Sequence, residues 1–154
     1  MYKAKDIMSE PAISTTEDKS LQEVLEMMAE NNFSGIPVVD TDNKVIGIIS
    51  NTDIIRYSQQ TSVIPLSNLS GWISPYADIS DLASVRKGFE MLRKTKVGQI
   101  MTKKVFTVSA DTDATEIAKL MNQRKINRIP IVDNGGKLVG IVTRGDMVQC
   151  MAKL

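Results

Sequence analysis

Histidine is absent from the 154 residues, and cysteine occurs once, at Cys150. Without histidine, Ser-His-Asp and Cys-His mechanisms and His-ligated metal sites are excluded. One cysteine excludes a disulfide within the chain and a thiolate zinc cage. Cys150 sits near the end of an apolar helical pattern and reads as a packed small side chain. Aromatic residues make up only 5% of the chain, with one Trp, Trp72. No uninterrupted apolar run approaches the ~18–20 residues that cross a bilayer. The N-terminal Met1-Tyr2-Lys3-Ala4-Lys5-Asp6 lacks the apolar stretch of a secretory signal. A soluble, cytoplasmic chain without membrane insertion is the expectation.

The balance of 42% hydrophobic and 24% charged residues excludes disordered and low-complexity chains. A net charge of +1 argues against bulk attraction to nucleic acid or anionic lipid. The charge is unevenly placed. Residues 1–55 carry four Lys and ten acids, whereas residues 56–154 carry fifteen Lys or Arg and eight acids.

An internal repeat dominates the sequence. At an offset of 93 residues, Ile7-Met8 falls on Ile100-Met101 and Ile36-Pro37 on Ile129-Pro130. Val39-Asp40 falls on Val132-Asp133, Gly47-Ile48 on Gly140-Ile141, and Asp53 on Asp146. Thirteen of the 51 pairs from 5/98 to 55/148 are identical, with no gap.

Each copy reads as β-α-β-β-α. A β-prone run comes first, Ala12 to Thr15 or Val105 to Val108. Apolar residues at helical spacing follow: Leu21, Val24, Leu25 and Met28, matched by Ala114, Ile117, Ala118 and Met121. Asp18 and Asp111 stand upstream as expected N-caps. Met27, Met28 and Met121 read as core. Strands Ile36 to Val39 and Ile129 to Val132 lead through polar turns into Val45 to Ile49 and Leu138 to Val142. A proline at the second strand position suits a start or an edge. Helices close the copies from about Asn51 and Arg144. About 50 residues alone are marginal, so two copies sharing one core are expected. The organisation is a first repeat at 1–58, a connection at 59–96, and a second repeat at 97–154.

Within the connection, Gln59 to Ser74 reads as a loop and Asp81 to Lys94 as a helix. Leu82, Val85, Phe89 and Leu92 form the apolar face of that helix. The loop is either functional or a packed crossover in which Trp72 fills a gap.

The motifs resemble a tandem pair of CBS domains, a Bateman module. They are Asp6-Ile7-Met8-Ser9 with Gln99-Ile100-Met101-Thr102, and Gly35-Ile36-Pro37-Val38-Val39-Asp40 with Arg128-Ile129-Pro130-Ile131-Val132-Asp133. The third pair is Gly47-Ile48-Ile49-Ser50-Asn51-Thr52-Asp53 with Gly140-Ile141-Val142-Thr143-Arg144-Gly145-Asp146. The resemblance implies a mixed α/β (α+β) fold of two repeats packed as a pseudo-two-fold pair. It implies a regulatory, energy-sensing module that binds AMP, ADP, ATP or S-adenosylmethionine in a cleft between the repeats, ATP with or without Mg²⁺.

By that resemblance, Asp53 and Asp146 take ribose hydroxyls, for which a carboxylate is a suitable acceptor pair. Ser50, Asn51, Thr143, Arg144 and Arg128 take phosphate at helix N-termini. Ile13, Ser14, Ile36 and Pro37 hold adenine in one site, and Phe106, Thr107, Ile129 and Pro130 in the other. Capping alone would also place an acid and a hydroxyl at a helix start, but not their recurrence with Gly beside an apolar slot. Arg144 and Arg128 replace Asn51 and Gly35 of the first copy, and Arg124 and Lys125 add charge. The site of Asp146 is therefore expected to favour phosphorylated nucleotides. The site of Asp53 is expected to favour adenosine or S-adenosylmethionine, or to stay empty.

The resemblance further implies a homodimer; the charge asymmetry weakly favours an antiparallel arrangement, and the commoner parallel one is the alternative. With no effector domain visible, an unidentified partner protein would read the signal. The alternative is a structural dimerisation module with vestigial sites. No nucleophile–base pair is assigned between the two aspartates, so no enzyme activity is expected. The basic run Arg86, Lys87, Arg93, Lys94, Lys96, Lys103 and Lys104 lacks interleaved aromatics and reads as a solvated face, not a nucleic-acid reader.

Overall fold

The computed structural model describes residues 1–60 and 79–154, with side chains in the helix at 79–94 described from Val85 onward. Trp72, Tyr76 and the expected loop beyond Gln60 lie outside the described residues. The elements run α1 (Ala4–Ile7), α2 (Leu21–Asn31), β1 (Gly35–Val39), β2 (Val45–Ser50) and α3 (Asn51–Gln60). They continue as α4 (Ile79–Lys94), α5 (Val97–Ile100), α6 (Ala114–Arg124), β3 (Arg128–Val132), β4 (Leu138–Thr143) and α7 (Arg144–Ala152). The offset of 93 holds to the residue from α1/α5 through β2/β4. Left-handed backbone repeats with it: Asn32 pairs with Lys125, and Asn43 with Gly136.

Several local expectations are corrected. The helices start at the N-caps Ser20 and Asp113, two residues beyond Asp18 and Asp111. Ser20 accepts from the Glu23 N–H while Glu23 accepts from the Ser20 N–H, a reciprocal box that satisfies two otherwise orphan donors. Asp18 instead bonds Thr16, and Asp111 pairs with Lys5 at 2.8 Å. The opening β-prone run of the second copy pairs through one residue only. The Val108 N–H donates to Pro130 O and its carbonyl accepts from Val132 N–H. Phe89 is 58% exposed, because α4 turns Val85, Gly88 and Leu92 inward instead.

The chain forms two compact units that cut across the repeats: 1–14, 37–48 and 103–154 in one, and 15–36 and 49–102 in the other. In the first unit, Ala4, Ile117, Met121, Ile129, Ile131 and Val142 form a buried cluster with Ile7, Met8 and Val108 packed against it. β3 and β4 pair antiparallel, with Arg128 opposite Thr143 and Pro130 opposite Ile141. Ile141 exchanges both of its backbone bonds with Ser9, on its other side. Pro130 therefore stands in a pair that needs no N–H from it, which is why a proline sits mid-strand here. Gly140 is required by the same crossing: a Cβ there would lie 2.5 Å from Met8 Sδ and 3.2 Å from Ser9 O. The leading segment also docks at the approach to α6, through Ala4 N–H to Thr112 O and Lys5 N–H to Ala110 O, and Ala114 N–H at the first residue of α6 donates to Tyr2 O.

The second unit repeats this docking with the roles reversed. Val97 N–H donates to Lys19 O, Gly98 N–H to Glu17 O, and Leu21 N–H to Thr95 O. Each copy's leading segment thus docks at the start of the other copy's first long helix. Leu21, Val24 and Met28 of α2 are buried, and α2 packs on α4. Among the described residues, no helix is long and apolar enough to cross a membrane.

Candidate functional site

All eight second-copy residues singled out for ligand binding belong to the first compact unit. β4 ends at Thr143, whose extended backbone makes it the N-cap of α7. Its N–H and hydroxyl donate to Asp146 Oδ2 at 2.7 and 2.8 Å, and its Oγ1 accepts from Asp146 N–H at 3.2 Å. The hydroxyl's one proton goes to the carboxylate, so Thr143 has no proton left for a phosphate. Arg144 N–H donates to Asn127 O at 2.9 Å. Asp146 is half-buried, and among the described residues no hydrogen bond or ion pair reaches its Oδ1. The carboxylate is thus held firmly by one oxygen and offers the other.

Phe106 is half-buried and Thr107 exposed. The Arg124 guanidinium lies 4.7 Å from the Phe106 ring centroid and Lys104 Nζ 5.9 Å from it. Cations at that range are drawn to the ring face. Ile129 and Pro130 are closed to solvent and form the wall behind. Arg128 is half-buried, opposite Thr143 in the sheet register. At the four positions held by Lys104, Arg124, Arg128 and Arg144, the first copy has Pro11, Asn31, Gly35 and Asn51. Lys104 beside Phe106 was not singled out from sequence as a ring neighbour. Its one signal was the cationic replacement of Pro11.

The first-copy residues divide differently. Ser50, Asn51, Asp53 and Ile36 lie in the second unit, and Ile13, Ser14 and Pro37 in the first. Ser50 repeats the box: its N–H and Oγ donate to Asp53 Oδ2 at 2.9 Å each, and Asp53 N–H donates to Ser50 Oγ at 3.2 Å. Asn51 N–H goes to Ser34 O. Asp53 differs from Asp146 in its second oxygen. Thr102 Oγ1 donates to Asp53 Oδ1 at 3.0 Å, and Arg56 Nη1 lies 3.9 Å from it. Asp53 is only 8% exposed. Thr102 was quoted from sequence as part of a motif but given no role; 49 residues separate it from Asp53, and nothing local signals the contact. Among the described residues, no cluster of three or more His, Cys, Asp or Glu could hold a metal ion.

The chain as a whole has known relatives. The CBS domain family matches residues 4–60 and 97–153, and the chain belongs to that family. It is 35% identical over 151 residues to protein MJ1426 of Methanocaldococcus jannaschii, covering 96% of this chain and 89% of that one. It is 32% identical over 138 residues to the CBS domain-containing chloroplastic protein CBSX1 of Arabidopsis thaliana, covering 88% of this chain and 57% of that one. The solved CBS domain pair of protein MJ0100, in complex with 5′-methylthioadenosine and S-adenosyl-L-methionine, superposes with a TM-score of 0.75 at 25% identity. The match covers 99% of this chain and 98% of that pair. The fold is therefore mixed α/β, two repeats of the CBS-pair type.

Proposed function

We propose that this chain is a regulatory module that binds adenosine-containing ligands, principally through the site of Asp146, and signals to a partner protein. The observation that carries the reading is the carboxylate of Asp146. One oxygen is fixed by Thr143, and the other, with two lone pairs, is left for the hydroxyls of a ribose. The adenosine ligands of the MJ0100 pair support the ligand class. The base lies against Phe106 and Thr107, with Ile129 and Pro130 behind. Phosphate is taken by Arg144 and Arg128, with Lys104 and Arg124 adding positive potential. These cations favour AMP, ADP or ATP over S-adenosylmethionine in this site, with Mg²⁺ carried by the phosphates of ATP. The module is non-catalytic, cytoplasmic and suited to sensing adenylate levels. Its proposed organisation is repeats at 1–58 and 97–154 around the 59–96 connection.

A second reading, a dimerisation module with vestigial sites, draws on α7. Val148 and Met151 are 64% and 68% exposed there, one helical turn apart. In the proposed homodimer that face is covered by the second copy.

A thermal-shift panel of AMP, ADP, ATP with and without Mg²⁺, S-adenosylmethionine and GTP separates the readings. A ligand at ~100 times its Kd stabilises by about 2.7 kcal/mol, a rise of roughly 5–11 °C for this size. A shift with adenine compounds alone is expected; no shift with any of them leaves the dimerisation reading. Asp146→Ala is expected to lower AMP affinity at least tenfold and Asp53→Ala less than threefold, by calorimetric titration of variants checked for native circular dichroism. The reverse order would remove the assignment to Asp146.

A further inference from the structure

The two aspartates share a capping box, a position in the repeat and a preceding glycine, yet only one offers an oxygen. Asp53 Oδ2 accepts twice from Ser50, and Oδ1 accepts from Thr102. Arg56 stands beside Oδ1, and little of the residue reaches solvent. The repeat equivalent of Thr102 is Ser9. Ser9 bonds Ile141 through its backbone, and among the described residues its hydroxyl makes no bond to Asp146. The equivalent of Arg56 is the neutral Gln149.

We infer that Thr102 is an internal latch on the first site: its hydroxyl occupies the place on Asp53 that a ribose hydroxyl would take, and so holds that site shut to nucleosides. The inference rests on the proposed adenosine-binding function. Thr102 and a ribose hydroxyl offer the same donor to the same oxygen, so they compete. The latch is held by the segment behind it. Thr102 follows α5 by two residues, and α5 is tied to the start of α2 through Val97 and Gly98. A ligand that engages Asp53 must displace Thr102 and pull on that tie. Thr102 therefore determines which of the two aspartates accepts ligand first.

The test uses adenosine, which lacks the phosphate that Arg144 and Arg128 would read, titrated calorimetrically into the full chain carrying Asp146→Asn. Adding Thr102→Val, which removes the donor and keeps the shape, is expected to raise adenosine affinity at least fivefold. Thr102→Ala serves the same purpose should the valine variant fold poorly. Thr102→Ser, which keeps the donor, is expected to return the affinity toward that of the Asp146→Asn chain. Adding Asp53→Asn to the valine variant is expected to abolish the gain. Unchanged or weaker binding in both the valine and alanine variants overturns the latch while leaving nucleotide binding by the parent chain intact. A gain that survives Asp53→Asn overturns it as well. No adenosine compound bound by the parent or any variant removes the proposed function, and the latch with it.

Discussion

Thr15 carries the one buried side-chain polar atom that lacks a partner among the described residues. The repeat places Val108 at the matching position. An unsatisfied buried hydroxyl costs about 1–3 kcal/mol, and valine has the same shape. Thr15→Val should therefore raise stability by about 1 kcal/mol, read as a higher urea midpoint at constant slope. A lower midpoint would show that the hydroxyl has a partner. Gly140 is the opposite case. Met8 can swing away from an added methyl, but the Ser9 carbonyl is backbone and cannot do so cheaply. Gly140→Ala should cost about 1–3 kcal/mol, and Met8→Ala in the same chain should recover part of it in chemical denaturation. Gly140, which opens the repeated motif ending at Asp146, thus owes its place to a chain crossing. From sequence it appeared only as part of a motif, because its neighbour Met8 is over a hundred positions away. The same distance problem hid Thr102. The matched positions of Asp53 and Asp146 and the added cations around the second were legible, whereas the Thr102 bond to Asp53 was not.

Repeating elements were legible because identical residues fell at one offset and helical spacing marked the buried faces of α2 and α6. Their starts were misplaced for a local reason. Two acids stood near each start, and the Ser20-x-x-Glu23 box, itself a readable signal, outcompeted Asp18. The four-residue helices α1 and α5 were too short to show a period. The ends of the long helices hold a testable strain. Lys125 adopts φ 54° at the C-cap of α6, a conformation in which a side chain costs about 1–2 kcal/mol. Lys125→Gly should raise the melting temperature by a few degrees, less than the strain implies, because glycine also loosens the unfolded chain. Asn32 is already suited to the same conformation, so Asn32→Gly should gain less.

Capping also sets the acid response. The Ser20 backbone N–H, then its hydroxyl, hold the Glu23 carboxyl below its ordinary 4.5. A Lys5 hydrogen bond and charge hold Asp111 below 3.8. Both pKa values are depressed by folding, so their stabilisation is present above those ordinary values and is lost as pH falls through the folded ones. Lys5 is raised above 10.5 by Asp111, and its share is lost as pH rises through that raised value. All three are exposed, so the effects are small. Glu23→Gln should flatten the stability profile below about pH 4.5, and an unchanged slope in acid melts would assign that limb elsewhere.

At the scale of the whole molecule, repeat and compact unit are different divisions of one chain. The leading segments are exchanged, and each caps the other copy's work: residues 1–9 complete the sheet edge at Ile141 and the start of α6, while residues 95–98 complete the start of α2. Deleting residues 1–9 should therefore unsettle the second repeat. The expected readout is loss of hydrogen-exchange protection at Ile141 and across α6, in residues far from the cut in sequence. Protection unchanged there would mean the docking adds nothing. No local pattern in the sequence announced this exchange, since each bond joins segments roughly 75 to 130 residues apart.

The exchange also sets a timetable. During synthesis residues 1–14 emerge well before the partners they need, which are at 110–114 and 141. The second unit, internal in the sequence, has all its segments once residue 102 is out. Maturation thus runs from the middle outward. Residues 1–14 wait for those later segments, holding Ile7 and Met8 without their packing partners in the meantime. Contacts this distant in sequence are slow to form, so crowding and chaperone access during synthesis bear on the yield of this fold more than its modest length suggests.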